Sequence, residues 1–238
     1  MAESARTEHL LEAARATKGF MPDEEGLALR ALARRTALAG HLSIIEIGAY
    51  CGRSTLYLAS GVAAAAQEPG AGTVVFSIDH HRGSEENQAG WEHHDPSLVD
   101  PATGRIDTLP YWRSALEAAG AEDLAVAVVG DSPVVAARFG GRAGLVFIDG
   151  GHGEEPAWAD FEGWAPHVAM GGWLAIHDVF SDPEDGGRPP YEIYRRALSG
   201  DEFVEEPSSG CGSLRVLRRV TEPGCSSSPR GSSAPVKS

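Results

Sequence analysis

The 238-residue chain predicts an α/β fold: a seven-stranded, mostly parallel sheet with an antiparallel final strand and helices on both faces. Three observations carry this. From residue 43 onward, short apolar runs alternate with longer stretches of helical periodicity, the pattern of parallel strands joined by helical crossovers. The first such run ends at two closely spaced glycines, Gly48 and Gly52, and passes straight into a helical pattern, which makes a strand–turn–helix junction. The last two apolar runs are joined by Pro207-Ser208-Ser209-Gly210-Cys211-Gly212, too short for a helical crossover, so those strands should be antiparallel.

Taken in order, residues 4–17 read as a helix with Leu10, Leu11 and Ala14 at its apolar positions, broken by Gly19 to Pro22. Residues 23–39 read as a second helix, capped by Asp23, with Glu24 and Glu25 in its first turn and Leu27, Leu29, Leu32 and Leu38 at apolar positions. These two helices make residues 1–40 an N-terminal helical cap on a main domain over 41–220. Strands are expected at 43–48, 73–79, 124–129, 143–149, 172–177, 202–206 and 213–219. Helices are expected at 53–65, 109–119, 132–139, 155–167 and 189–199. The Ser-, Pro- and Gly-rich tail, 221–238, is expected to be disordered. Residues 80–108 form a connection far longer than the usual 2–6 residues. A loop of this length at the carboxyl edge of a parallel sheet is expected to be a lid or substrate wall.

Composition excludes several classes. A net charge of −14 argues against a nucleic-acid substrate, which needs a basic face. No apolar run reaches membrane-span length, so a soluble protein without a membrane partner is expected. Three widely spaced cysteines, Cys51, Cys211 and Cys225, argue against a disulfide framework and for a reducing, cytoplasmic setting. The N-terminal helices offer either a homodimer face or a cover for their own sheet.

The stretch Ile44-Ile45-Glu46-Ile47-Gly48-Ala49-Tyr50-Cys51-Gly52-Arg53-Ser54-Thr55 carries the most chemistry. Its spacing is E-x-G-x-x-x-G. Tyr50 stands where a G-x-G-x-x-G dinucleotide site has its second glycine, so a pyrophosphate fits poorly. Glu46 places a carboxylate beside the turn, which would repel phosphate and attract a cation. The turn therefore suits a zwitterionic sulfonium cofactor, S-adenosylmethionine, better than a nicotinamide dinucleotide.

The same stretch resembles motif I of class I S-adenosylmethionine-dependent methyltransferases, which have a Rossmann-like sheet with an antiparallel final strand. Phe76-Ser77-Ile78-Asp79, Gly130-Asp131-Ser132, Val146-Phe147-Ile148-Asp149-Gly150-Gly151-His152 and Gly171-Gly172-Trp173-Leu174-Ala175-Ile176-His177-Asp178 follow in that family's order. The last two resemble metal-dependent sugar O-methyltransferases of the macrocin type. The long loop is similar to that of actinobacterial methyltransferases, including those acting on methylmannose polysaccharides. The resemblance spans roughly residues 20–218. It implies cofactor contacts from Glu46, Gly48, Tyr50, Gly52, Ser54, Asp79, His80, Asp131, Ser132 and Asp149, with Met21 nearby. Asp79, ending the second strand, can accept both ribose hydroxyls. Asp131 suits the adenine amino group, while Ser132-Pro133 also suits a helix N-terminus.

Asp149 and Asp178 end neighbouring strands, and two carboxylates brought together invite a cation between them. Oxygen ligands suit Mg²⁺ or another divalent metal, with His177 or His152 as a nitrogen donor. Asp149 and His152 are the candidate catalytic residues, His152 as general base. His81, Arg82, Trp91 and His152 are the candidate substrate contacts, Trp91 as a stacking face for a sugar or another small-molecule acceptor. The expected activity is O-methylation of a small-molecule or sugar hydroxyl. The alternatives are a metal-independent natural-product O-methyltransferase, a fold-related hydroxylase and a non-catalytic cofactor-binding protein.

Overall fold

A computed structural model describes residues 2–66, 72–91, 93–182 and 185–222. Residues 223–238, nearly all of the tail expected to be disordered, lie outside the described residues.

Two helices, α1 (Ala2–Ala16) and α2 (Asp23–Leu38), precede the sheet. Then come β1 (Ser43–Ile47), α3 (Arg53–Ala63) and β2 (Val74–Asp79). The long loop contributes a two-stranded hairpin, β3 (Val99–Asp100) and β4 (Arg105–Ile106). After it come α4 (Leu109–Ala119), β5 (Ala125–Val129), α5 (Ser132–Ala136), β6 (Ala143–Ile148) and α6 (Glu154–Trp164). The chain closes with β7 (Val168–Ile176), α7 (Arg188–Leu198), β8 (Phe203–Glu205) and β9 (Arg215–Arg219).

The main sheet has seven strands in the order β5-β2-β1-β6-β7-β9-β8. β1 pairs in parallel with β2 (Ile44 opposite Val75) and with β6 (Ile44 opposite Leu145). β9 runs antiparallel between β7 and β8, as the short 207–212 connection requires. β6 is buried at every position, the mark of a central parallel strand covered on both faces.

Two apolar clusters fill these faces. On one, Leu10, Leu11, Leu29 and Leu32 of the N-terminal helices pack with Leu56, Tyr57 and Leu58 of α3, so the N-terminal helices share a core with the sheet. On the other, Ile45, Val146, Ile148 and Ile176 meet Phe161 and Trp164 of α6 and Ile193 of α7. Strand β7 starts at Val168, four residues before the expected start, and its pairing with β6 shifts register between Ala143 and Leu145. Helix α5 stops at Ala136, short of residue 139. In the long loop, Leu98 and Ile106 pack on Cys51, which fastens the loop over the first turn.

Gly48 makes the central close approach. Its φ is +89°, and a Cβ there would fall on the carbonyl oxygen of Asp149. β1 and β6 can thus end side by side only with glycine here. Gly48→Ala should cost about 3 kcal/mol or more, lowering the melting temperature by roughly 10 °C. A melting temperature within about 2 °C of wild type by scanning calorimetry would refute that packing argument.

Candidate active site at the carboxyl edge of the sheet

The chain leaves β1 towards β2 and β5, then returns to β6 on the other side. The connections after β1 and β6 therefore diverge, and a crevice opens at this switch point. A cavity of about 1160 Å³ lies there, lined by residues at the ends of β1 and β2 and by those just after β5, β6 and β7.

At one end Asp79 closes the turn after β1. Its Oδ2 accepts the N–H of Tyr50 at 2.8 Å and its Oδ1 that of His81 at 2.7 Å. Each carboxylate oxygen keeps a further lone pair for a ligand hydroxyl. Gly48, Tyr50, Ser54, His80, Asp131 and Ser132 also line this cavity, as does the buried Met21. The N-cap of α5 is Asp131, whose side chain makes no capping bond, and Ser132 Oγ instead accepts the indole N–H of Trp164 at 2.8 Å. Tyr50, His81 and Asp178 are the non-glycine residues with positive φ among the described residues, at 46°, 57° and 54°. All three sit in the turns that follow β1, β2 and β7, where backbone strain is held around the site.

At the other end Asp149, His152 and Asp178 each offer a donor atom, all within 4.8 Å of one another. His152 Nε2 is 3.0 Å from Asp178, and its Nδ1 is 3.3 Å from Glu86 on the long loop. Burial acts to lower the His152 pKa, but the hydrogen bond to Asp178 and the charges of Asp178, Asp149 and Glu86 outweigh it and raise the ring to about 9. Hydrogen bonds and charge from His152 and His177 oppose the effect of burial on Asp178 and hold its carboxyl well below the usual range.

Several expectations are corrected. Glu46 is wholly buried and does not line the cavity; it accepts hydrogen bonds from Thr55 at 2.6 Å and Ser77 at 2.5 Å beneath the turn. Gly52 does not face the cavity either, since its missing side chain makes room for Trp112 and Leu116. His81 is buried, with Nδ1 bonded to Thr108 at 2.7 Å, and Arg82 turns away to Asp107 and the carbonyl of Ile106. Neither reaches the cavity, whereas Trp91 does. His177 is not placed as a metal ligand. Its Nε2 meets Glu25 and its Nδ1 lies 3.1 Å from Asp149 and 3.3 Å from Asp178. Its Nδ1 makes no hydrogen bond to either aspartate, and His177 falls outside the Asp149, His152 and Asp178 group that could share a metal. The pKa of His177 is raised, the three carboxylates overcoming burial.

Two residues escaped the reading of the sequence. Glu25 is one, legible only as a first-turn acid of α2. Asp160 of α6 is the other, its carboxyl raised to about 6 by burial at the cavity wall.

Burial likewise lifts the Glu46 carboxyl to about 7, against the hydroxyls that bond it. A raised carboxyl favours the folded state below its unfolded pKa, near 4.5, and that benefit is lost as pH rises through 7. Glu46→Gln should therefore be less sensitive to alkali, closing a gap on the order of 3 kcal/mol between pH 5 and 8.5. Parallel pH-dependent denaturant titrations of both proteins would disprove this.

Fold and site together define an α/β class with a crevice at the switch point of its sheet, beside an acidic, histidine-containing centre. Within that class the chain belongs to the methyltransferase-domain family, whose family model matches residues 45–179. Solved structures agree on the fold. An O-methyltransferase from Bacillus cereus in complex with SAH is 18% identical, with a TM-score of 0.59 and 91% of each chain covered. TomG, the O-methyltransferase of tomaymycin synthesis from Streptomyces achromogenes, in complex with SAM, is 15% identical, with a TM-score of 0.57 over 91% of this chain and 90% of that one. An SAH-bound methyltransferase from Podospora anserina is 13% identical, with a TM-score of 0.60 over 91% and 88%. No helix among the described residues is long and apolar enough to cross a membrane.

Proposed function

We propose that this protein is a cytoplasmic S-adenosylmethionine-dependent O-methyltransferase acting on a hydroxyl of a small molecule or sugar. One observation carries the reading: a single cavity joins the Asp79 and Asp131 end to the Asp149, His152 and Asp178 end. The SAM- and SAH-bound O-methyltransferases of similar fold support it. A saccharide acceptor, a mannoside among them, is supported by the motif resemblance and by the exposed Trp91 at the cavity.

The residues fit the cofactor. Asp79 retains acceptor capacity for two ribose hydroxyls, Asp131 can accept from the adenine amino group, and the acids around Asp149 suit a sulfonium. When bound, S-adenosylmethionine supplies an electrophilic methyl group. The protein's task is then to align an acceptor oxygen and remove its proton. Asp178 accepts from Nε2–H of His152 and so orients the ring, leaving Nδ1 to take the proton once Glu86 yields its place to the acceptor. His177, held by Glu25, fixes Asp149 and Asp178 from below. Two carboxylates with open positions also fit a divalent ion such as Mg²⁺; Asp149 and Asp178 would hold it, and it would make the acceptor hydroxyl more acidic.

Calorimetric titration of EDTA-stripped protein with S-adenosylhomocysteine, with and without Mg²⁺ and with NAD as control, tests this. Micromolar binding of the homocysteine compound and none of NAD is expected. Absence of binding to the former would remove the reading.

A further inference from the structure

We propose that Asp160, a buried carboxylate of α6 with no part in the chemistry above, reads the adenine ring of the cofactor. It accepts one hydrogen of the exocyclic amino group while Asp131 accepts the other, so the site selects an adenosyl over an inosyl or N6-alkylated ligand. This rests on the cofactor reading above.

The carboxyl is built into the cavity wall. Asp160 is 5% exposed, yet it lines the cavity. Helix α6 carries it to the space between the turn after β5 and the turn after β6. On the β6 side, a Cβ added to Gly150 would stand 2.5 Å from Asp160 Oδ2, so the carboxylate lies directly against that glycine. On the β5 side the Ser132 hydroxyl approaches it as a donor. Ser132 Oγ accepts the indole N–H of Trp164, which leaves the hydroxyl hydrogen for Asp160. The charges of Asp131, His80 and Asp79 also act on Asp160, and all three residues line the cofactor end of the cavity.

A buried carboxylate needs donors or a cation. It offers about four acceptor positions, and one hydroxyl fills one of them. A metal ion is a poor match: among the described residues, the group that could share one is Asp149, His152 and Asp178, and Asp160 falls outside it. Asp131 adds a second carboxylate whose side chain makes no capping bond. Burial, joined by the charge of Asp131, lifts the Asp160 carboxyl to about 6 against the pull of Ser132, a cost that a ligand donor would relieve. Two such acceptors match a group that carries two hydrogens and accepts none. The amino group of adenine is one. An inosyl ligand would instead turn a carbonyl oxygen towards both carboxylates, and an N6-methyl group would displace one of the two hydrogens.

The test compares S-adenosylhomocysteine with its inosyl and N6-methyladenosyl analogues by calorimetry on wild type, Asp160→Asn and Asp160→Ala, beside melting curves. Wild type should prefer the adenosyl compound by about a hundredfold over the inosyl and about tenfold over the N6-methyl compound, since each forfeits hydrogen bonds to a charged acceptor. Asp160→Asn can donate to a carbonyl oxygen, so its inosyl gap should narrow by about tenfold. Asp160→Ala opens space beside the amino group, so its N6-methyl gap should close to within about threefold. A side chain that only braced the two turns would weaken all three ligands alike. Parallel losses on the three ligands, unchanged affinities in the variants, or a wild type indifferent to both analogues overturns the proposal. If the alanine variant fails to fold, the inosyl gap of the asparagine variant decides. Failure of wild type to bind S-adenosylhomocysteine at all would instead count against the cofactor reading itself.

Discussion

His152→Gln should lower turnover by about 10²- to 10⁴-fold while leaving affinity for S-adenosylhomocysteine within a few fold, because a positioned base contributes that much to proton removal. The pH profile gives this a signature. The carboxylates of Asp178, Asp149 and Glu86 hold the ring protonated up to about pH 9. A base must be neutral to act, so in metal-stripped protein turnover should climb roughly tenfold per pH unit from 7 and level off near 9. A divalent ion at Asp149 and Asp178 would weaken their hold on the proton and move that limb to lower pH. The measurement is SAH release from pH 6.5 to 10 with a hydroxyl acceptor that turns over, with and without Mg²⁺. A variant with wild-type turnover, or a wild-type profile flat across this range, would sink the assignment of His152.

Asp79→Ala should weaken S-adenosylhomocysteine binding by about a hundredfold or more. Two hydrogen bonds from ribose to a carboxylate are worth roughly 1.5–3 kcal/mol each. Asp79 also accepts the N–H groups of Tyr50 and His81, so the variant loosens the turn. Asp79→Asn separates the two effects. Its amide keeps one acceptor oxygen but points donors at a backbone N–H, so melting temperature should fall by a few degrees and affinity should fall less than in the alanine variant. Calorimetry on both, beside their melting curves, decides. Affinity within threefold of wild type in Asp79→Ala would show that Asp79 only shapes the turn.

The two predictions differ in how far the sequence alone supports them. Asp79 is legible because it stands at the end of an apolar β run, in step with Gly48 to Gly52, and strand ends in this fold face the ligand. Glu46 has the same chemistry one strand over and fails, because it lies within β1. Thr55 of α3 and Ser77 of β2 enclose its carboxyl and keep it from the cavity. The side-chain alternation of a strand makes such a difference a matter of one residue. His81 and His80 show the same one-residue switch: His80 lines the cavity, whereas His81, in a left-handed conformation, turns under the loop to Thr108.

The sheet, its antiparallel strand and the cofactor turn are written in local pattern: apolar period, glycine spacing and connection length each constrain neighbours along the chain. That is why β1, β2, α3 and β9 appear close to where the sequence puts them. What tertiary structure alone decides is which charged groups meet. Glu25 and His177 are 152 residues apart, and their contact follows from the packing of α2 beside the end of β7. That contact occupies Nε2 of His177 and sets its Nδ1 3.1 Å from Asp149 and 3.3 Å from Asp178, on the same aspartates that His152 approaches. No periodicity encodes it, because the favourable energy arises only when two surfaces folded from distant segments exclude water from the same few side chains.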